Sequence, residues 1–178
     1  MLFKSSETFA FGEKDARNRN SIYSYTNHPD RNILALGTAW NAISVATRGA
    51  DIVAKVGAAK QVLVNKHKFG PYMLYIPTAY ETVMDEDYSP NKGNNTIRER
   101  IMQIGNISGI KVIDTLEANN VLLVQMTSDV VRLVNGFGLT NVQWNSEGGM
   151  VTNYKVMTIQ VPQIRSDQSG NSGIVHMA

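Results

Sequence analysis

Three histidines and one acidic run are the residues whose types could bind a metal or move a proton. His28, His67 and His176 stand too far apart in sequence to form a spaced ligand pair of the kind that zinc sites use. The Asp-Glu-Asp run at 85–87 offers oxygen ligands for a hard cation, but it lacks the glycine and the distal glutamate of a calcium-binding loop. Surface histidines and a solvated acidic loop are therefore the favoured interpretation.

Two glycine-containing stretches are candidates for a nucleotide or acyl-transfer site. Gly136-Phe137-Gly138 is followed by Leu-Thr-Asn, so the third glycine of a dinucleotide fingerprint is absent. The stretch at 105–109 carries isoleucine where a hydrolase carries its serine nucleophile. The absence of cysteine excludes disulfides, thiolate zinc sites and a cysteine nucleophile. We therefore predict no enzyme activity, no catalytic residues, no metal and no cofactor.

Composition indicates one domain, or one domain with an appendage, in a chain of 178 residues. A hydrophobic content of 43% excludes a disordered chain. No apolar run approaches the roughly 20 residues that cross a bilayer, and no secretory signal is recognisable, so we expect a soluble protein. The net charge of +2 predicts no general attraction to nucleic acid or membrane.

The charge distribution favours contact between copies of the chain. Charged residues make up 18% of the sequence, below the roughly 25% of ordinary globular proteins, while asparagine occurs 17 times. Residues 1–68 hold ten basic and five acidic residues, and residues 69–178 hold seven and ten. A basic half and an acidic half suit head-to-tail association, with chance as the alternative.

Residues 2–26 have the pattern of a long β-hairpin, because two arms with aromatic residues flank a polar tip. An isolated hairpin is marginally stable in water, so another subunit is expected to hold it. The alternatives are that its aromatic residues pack on their own domain and that its basic tip contacts phosphate. The residues predicted to contact a neighbouring subunit are Phe3, Phe9, Phe11, Lys14, Arg17, Arg19, Tyr23 and Tyr25.

The rest of the sequence predicts a mixed α+β fold. Apolar residues at helical spacing predict a helix over 47–68, with Thr47 as its N-cap. Two short helices are expected over 78–84 and 96–104, each with a threonine and a glutamate at capping-box spacing. Strands are expected at 72–76, 111–115, 120–126, 129–134, 139–144 and 151–161, the last extending toward 165.

Several segments, in their order and spacing, resemble the major capsid proteins of tailed phages and the encapsulin shell proteins, which share the Hong Kong 97-like fold. The segments are TNHPDR (26–31), FGPYMLYIP (69–77), TIRERI (96–101), VLLVQMTSDVVRL (121–133), TNVQW (140–144), GGM (148–150), KVMTIQVPQIRSD (155–167) and SGIVH (172–176).

The resemblance implies a three-part α+β architecture with an extended hairpin loop, a long spine helix and a mixed sheet. The hairpin loop would be residues 1–37, lying across an adjacent subunit. The peripheral domain would be 38–68 and 146–178, with the spine helix and a long strand. The axial domain would be 69–145, meeting its copies around five- or six-fold axes. Family members usually carry an N-terminal arm before the hairpin, and this chain is expected to lack it.

The resemblance also implies a function: a structural capsid subunit of a tailed phage or prophage. Such a chain would assemble with its own copies, in hexamers and pentamers, into an icosahedral shell around DNA without sequence-specific binding. The expected partners include a scaffolding protein or a separate N-terminal segment, and no membrane. Its expected location is the virion, after assembly in the bacterial cytoplasm. An encapsulin-type compartment around a protein cargo is the alternative, and a small enzyme is a third possibility.

Overall fold

A computed structural model describes residues 23–89 and 95–178. Its elements occur in mixed order along the chain rather than in strict alternation. They are β1 (Asn32–Leu34), α1 (Val45–Asn65), β2 (Tyr72–Pro77), a 3-10 turn (Thr78–Tyr80), α2 (Glu81–Met84), α3 (Ile97–Met102), β3 (Ile107–Ile113), β4 (Val121–Gln125), β5 (Val131–Ser146), a second 3-10 turn (Glu147–Gly149), β6 (Val151–Ile164) and β7 (Ile174–Met177).

Five of these strands form one sheet in the order β1-β7-β4-β2-β3. The pairs β1–β7 and β2–β3 are parallel, whereas β2–β4 and β4–β7 are antiparallel. The predicted α+β class and mixed sheet are therefore confirmed. The sequence pattern missed β1 and β7, because strands of three and four residues are too short to establish an alternation.

Helix α1 covers one face of this sheet and supplies much of the core. Ile52, Val56, Ala59 and Leu63 are fully buried at the predicted helical spacing. The helix begins at Val45 rather than at Thr47, and its N-cap makes no side-chain capping bond. Its 21 residues correspond to about 31 Å of helix. None of the helices in residues 23–89 and 95–178 is long and apolar enough to cross a membrane.

The two predicted capping boxes have different outcomes. Thr96 accepts a bond from the Glu99 N–H at 3.2 Å, and the Glu99 carboxylate accepts one from the Thr96 N–H at 3.0 Å. The box at Thr78 and Glu81 is wrong, because residues 78–80 form a 3-10 turn whose N-cap makes no side-chain bond. The Glu81 carboxylate is instead paired with Arg98 at 2.9 Å.

Strand β3 begins at Ile107, four residues before the strand predicted at 111–115. A register shift at Tyr72/Met73 accommodates the start of its parallel pairing with β2. The side chain of Ile107 belongs to the main apolar core, beside α1 and α3. Burial of this residue therefore extends the strand through a segment whose glycines and asparagine favoured a loop.

Candidate assembly surface

The predicted acidic loop supports the fold and forms no candidate metal site. The Asp85 carboxylate accepts a bond from Arg98 Nε at 3.0 Å, and Glu86 accepts one from Arg48 Nη1 at 2.6 Å. Both carboxylates are thus committed to ion pairs that join the 85–89 segment to α1 and α3. Among the residues that the structure describes, no group of three or more histidine, aspartate or glutamate side chains could hold a metal ion.

Two of the three histidines form part of the hydrogen bonding around β1 and β7. His176 Nε2 lies 2.6 Å from the Asn120 amide oxygen, while its Nδ1 accepts a bond from Arg31 at 3.3 Å. His28 Nδ1 accepts a bond from the Asp30 N–H at 3.2 Å. Burial lowers the pKa of both imidazoles. The bonds of His176 join β7 to Arg31 at the start of β1 and to Asn120.

An open groove of about 560 Å³ runs beside the exposed side of α1. Its two charged residues are Asp51 and Lys55, one turn apart, and the other lining side chains are small or apolar. The Lys55 ammonium donates to the Ala35 carbonyl at 3.2 Å. The Lys55 side chain thus binds the segment before α1, and the groove also contains the hydroxyls of Thr38 and Ser44.

A long hairpin is formed by β5 and β6, which pair along their whole length and form a separate two-stranded sheet. The two strands predicted at 129–134 and 139–144 are one 16-residue strand. Two extra residues in β5, around Gly136-Phe137-Gly138, bulge out of the ladder and break its alternation. We call residues 131–164 the arm; its length is about 45 Å at about 3.3 Å per residue.

The two faces of the arm differ in composition, and we call the more hydrophobic one, with eight apolar residues among its fourteen paired positions, the apolar face. Directly paired residues lie on the same face, and the face alternates along each strand. The apolar face carries eight hydrophobic side chains, which are Val134, Phe137, Val142, Trp144, Val151, Met157, Ile159 and Val161. The opposite face combines amides and hydroxyls with apolar side chains. Its polar residues are Asn135, Asn141, Gln143, Asn145, Thr152, Thr158 and Gln160, and its apolar ones include Leu133, Tyr154, Val156 and Pro162.

Only the base of the arm is packed against the rest of the described chain. Val131 and Ile164 contact the second apolar cluster, which contains Tyr75 and Leu122. The Arg165 N–H donates to the Val130 carbonyl at 2.8 Å and closes the base. Further along, the apolar face is open to solvent: seven of its eight side chains are between 39% and 57% exposed.

Of the predicted contact residues, only Tyr23 and Tyr25 lie within the described part of the chain. Tyr23 is half exposed, with its ring edge-on to His28 at 5.5 Å. Tyr25 packs against the second apolar cluster, and burial, with a smaller contribution from Tyr75, raises its pKa to about 12. The structure does not place these two rings on one exposed face. Phe3, Phe9, Phe11, Lys14, Arg17 and Arg19 lie outside the described residues.

The arm was missed as a candidate site, although its signal is present in the sequence. Within β6 the stretch 157–161 alternates, with apolar Met157, Ile159 and Val161 separated by polar Thr158 and Gln160, as in a half-buried strand. The arm also connects residues on both sides of the predicted boundary at 145/146, since Trp144 pairs with Asn153. The division into hairpin loop, peripheral domain and axial domain stays a prediction.

Comparison with known proteins gives one family and one related fold. A model of the family of unknown function DUF6260 matches residues 12–177. The crystal structure of a virus-like particle from Pyrococcus furiosus is similar, with a TM-score of 0.62 and 19% sequence identity. The similarity covers 86% of this chain and 58% of that one, so the chain spans little more than half the length of the particle's subunit. At this identity the likeness shows a shared fold. No curated protein matches the sequence.

Proposed function

We propose that the chain, which belongs to the family of unknown function DUF6260, is a structural subunit that assembles with its own copies into a shell. The observation that carries this proposal is the arm, whose apolar face is uncovered on a fold shared with a virus-like particle. A shell subunit acts by closing a surface through its contacts with other subunits, and this action requires no catalytic group.

The physical argument rests on the cost of leaving the arm alone. A two-stranded hairpin without a third strand or a packed face is marginally stable in water. One face of a hairpin about 45 Å long and about 10 Å wide presents on the order of 500 Å². Eight of the fourteen paired positions on this face are apolar, and exposed apolar patches of a few hundred Å² are often functional. A neighbouring subunit would therefore stabilise the arm, and the arm would in turn hold the neighbour.

The finer form of the proposal is the capsid shell of a tailed phage or prophage, built by head-to-tail contacts around DNA. It is supported by the sequence resemblance and by the opposite net charges of residues 1–68 and 69–178. In this form the segment carrying Phe3, Phe9, Phe11, Lys14, Arg17 and Arg19 also reaches an adjacent subunit. The shell would assemble in the bacterial cytoplasm and become the virion capsid.

An encapsulin-type compartment around a protein cargo is the second candidate. The virus-like particle fold supports it as well as it supports a capsid, since the fold alone does not set what a shell encloses. The contents of the particle separate the two candidates. DNA that survives nuclease treatment of the outside favours the capsid, and a copurifying protein without nucleic acid favours the compartment.

The experiment that tests the proposal is a measurement of particle mass and shape. The purified chain is examined by light scattering after size exclusion and by negative-stain microscopy over a range of concentration and salt. Closed shells or regular rings are the expected result. A species of 19.7 kDa under all conditions, with a cooperative unfolding transition that shows it to be folded, contradicts a shell built by this chain alone.

A further inference from the structure

We propose that the apolar face of the arm is covered by the same face of a second copy, in an antiparallel arrangement about a two-fold axis. This inference rests on the proposed function and names the partner of its assembly surface. The two arms would stack as a four-stranded sandwich, with their sheets about 10 Å apart and the faces that carry most of the amides and hydroxyls outward. A closed shell accommodates such two-fold contacts beside its head-to-tail ones.

The area of the apolar face fits this occupant. Two faces of on the order of 500 Å² each bury about 1,000 Å² together, the lower limit for a specific interface. Both faces have the same length and width, so neither copy leaves an apolar margin in water. The bulges around Gly136-Phe137-Gly138 stand near the middle of the arm, where they can increase the local twist that a sandwich requires.

The charges of the arm select the antiparallel direction. The arm carries three charged residues: Arg132 at its base, Glu147 at its tip, and Lys155 between them on the apolar face. In an antiparallel stack the base of each arm lies against the tip of the other, so Arg132 of one copy meets Glu147 of the other, twice. A parallel stack would instead place Arg132 against Arg132 and Lys155 against Lys155, which is repulsive.

The register then follows from the pairing within the arm. The Arg132–Gln163 pair marks the base and the Ser146–Val151 pair marks the tip, so the midpoint is the pair of Thr140 and Met157. These residues would lie at the two-fold axis, each facing its own copy. Lys155 would face the level of Ile159, where its aliphatic stem can cover the apolar surface while its ammonium reaches solvent.

A thiol-crosslinking experiment tests this register, and the absence of native cysteine makes every introduced thiol unique. Met157→Cys is expected to crosslink to itself with a short bismaleimide, because sheets about 10 Å apart are too distant for a direct disulfide. The matched control is Tyr154→Cys on the opposite face, which is 64% exposed and should give at least tenfold less dimer. Equal crosslinking of the two variants would overturn the proposal.

A charge exchange tests the direction of the stack independently. Arg132→Glu and Glu147→Arg are each expected to weaken dimerisation about tenfold, because each change turns two attractive pairs into repulsive ones. The double variant R132E/E147R should recover the affinity of the parent chain. Failure of the double variant to recover, with both single variants weakened, would overturn the antiparallel arrangement.

These results distinguish this inference from the proposed function. Regular particles without the self-crosslink of M157C would leave the shell intact and overturn the two-fold stack. A self-crosslink without particles would support the stack and contradict the shell. A crosslink between M157C and a second cysteine placed at Phe9, without the self-crosslink, would assign the apolar face to residues 1–22 and overturn this proposal.

Discussion

Arg31 Nε donates a hydrogen bond to Nδ1 of His176 across 3.3 Å, and this bond joins the start of β1 to the middle of β7. A guanidinium only donates hydrogen bonds. Nδ1 of His176 must therefore be unprotonated in order to accept this one. The ring's proton is then on Nε2, where it is donated to the Asn120 amide oxygen at 2.6 Å. The fold therefore specifies a neutral His176 in one tautomer.

The first prediction is a loss of stability in mild acid. Burial lowers the pKa of His176, and the nearby Arg31 charge lowers it further. Burial also lowers the pKa of His28; there the charge of Asp30 acts in the opposite direction, and that of Arg31 adds to the lowering. Below about pH 6.5 the unfolded chain binds more protons than the folded one, so stability falls as pH falls through that value. We expect the melting temperature to drop by a few degrees between pH 7.5 and 5.5.

The variant that tests this prediction removes the His176 imidazole. His176→Gln should flatten the pH dependence while lowering stability at pH 7.5. A pH profile that is the same in the parent chain and in H176Q would contradict the role assigned to His176.

The second prediction concerns Gly49, which is buried in α1 where the helix meets the carbonyl of Tyr88. A Cβ at this position would collide with that backbone carbonyl, and backbone cannot move aside as a side chain can. Gly49→Ala is therefore expected to cost about 1–3 kcal/mol of unfolding free energy, despite the better helix propensity of alanine. Gly57→Ala in the same helix meets nothing within 4 Å and should stabilise by about 0.5–1 kcal/mol. Denaturant unfolding of both variants gives the comparison, and a stabilised G49A would contradict the close approach.

The third prediction separates assembly from folding. Ile159→Lys places a charge in the apolar face of the arm, at a side chain 57% exposed in the single chain. Because the site is solvated before assembly and desolvated after it, we expect loss of particles, while the unassembled subunit, melted below the concentration at which the parent assembles, should keep the parental melting temperature within about 2 °C. Tyr154→Lys on the opposite face is the control and should still assemble. Light scattering and thermal unfolding of the same samples measure both quantities, and particles of parental size from I159K would contradict the assembly surface.

The sequence predicted those elements whose hydrophobic period is long and regular. The buried face of α1 around Ile52 and Val56 is the example, whereas strand β6 alternates only loosely and was predicted from its length and its β-branched residues. Strand β5 was divided in two because its bulges shift the alternation after Gly136, so that no single period of two runs through it. The assembly surface could not be predicted from the sequence for a different reason. An alternating strand indicates that one face is covered, and it does not indicate whether the cover comes from the same chain or from another.

The last prediction tests why one capping box formed and the other did not. Thr96→Ala removes the side-chain acceptor for the Glu99 N–H at the start of α3, and it is expected to cost about 1 kcal/mol of unfolding free energy. Thr78→Ala changes an exposed residue of a 3-10 turn whose N-cap is Pro77, and it should cost less than about 0.5 kcal/mol. The two threonines stand at the same spacing from a glutamate, but Glu81 is committed to Arg98 while Glu99 is available to its own helix. Equal losses in the two variants, measured by denaturant unfolding, would show that the ion pair of Glu81 does not decide between them.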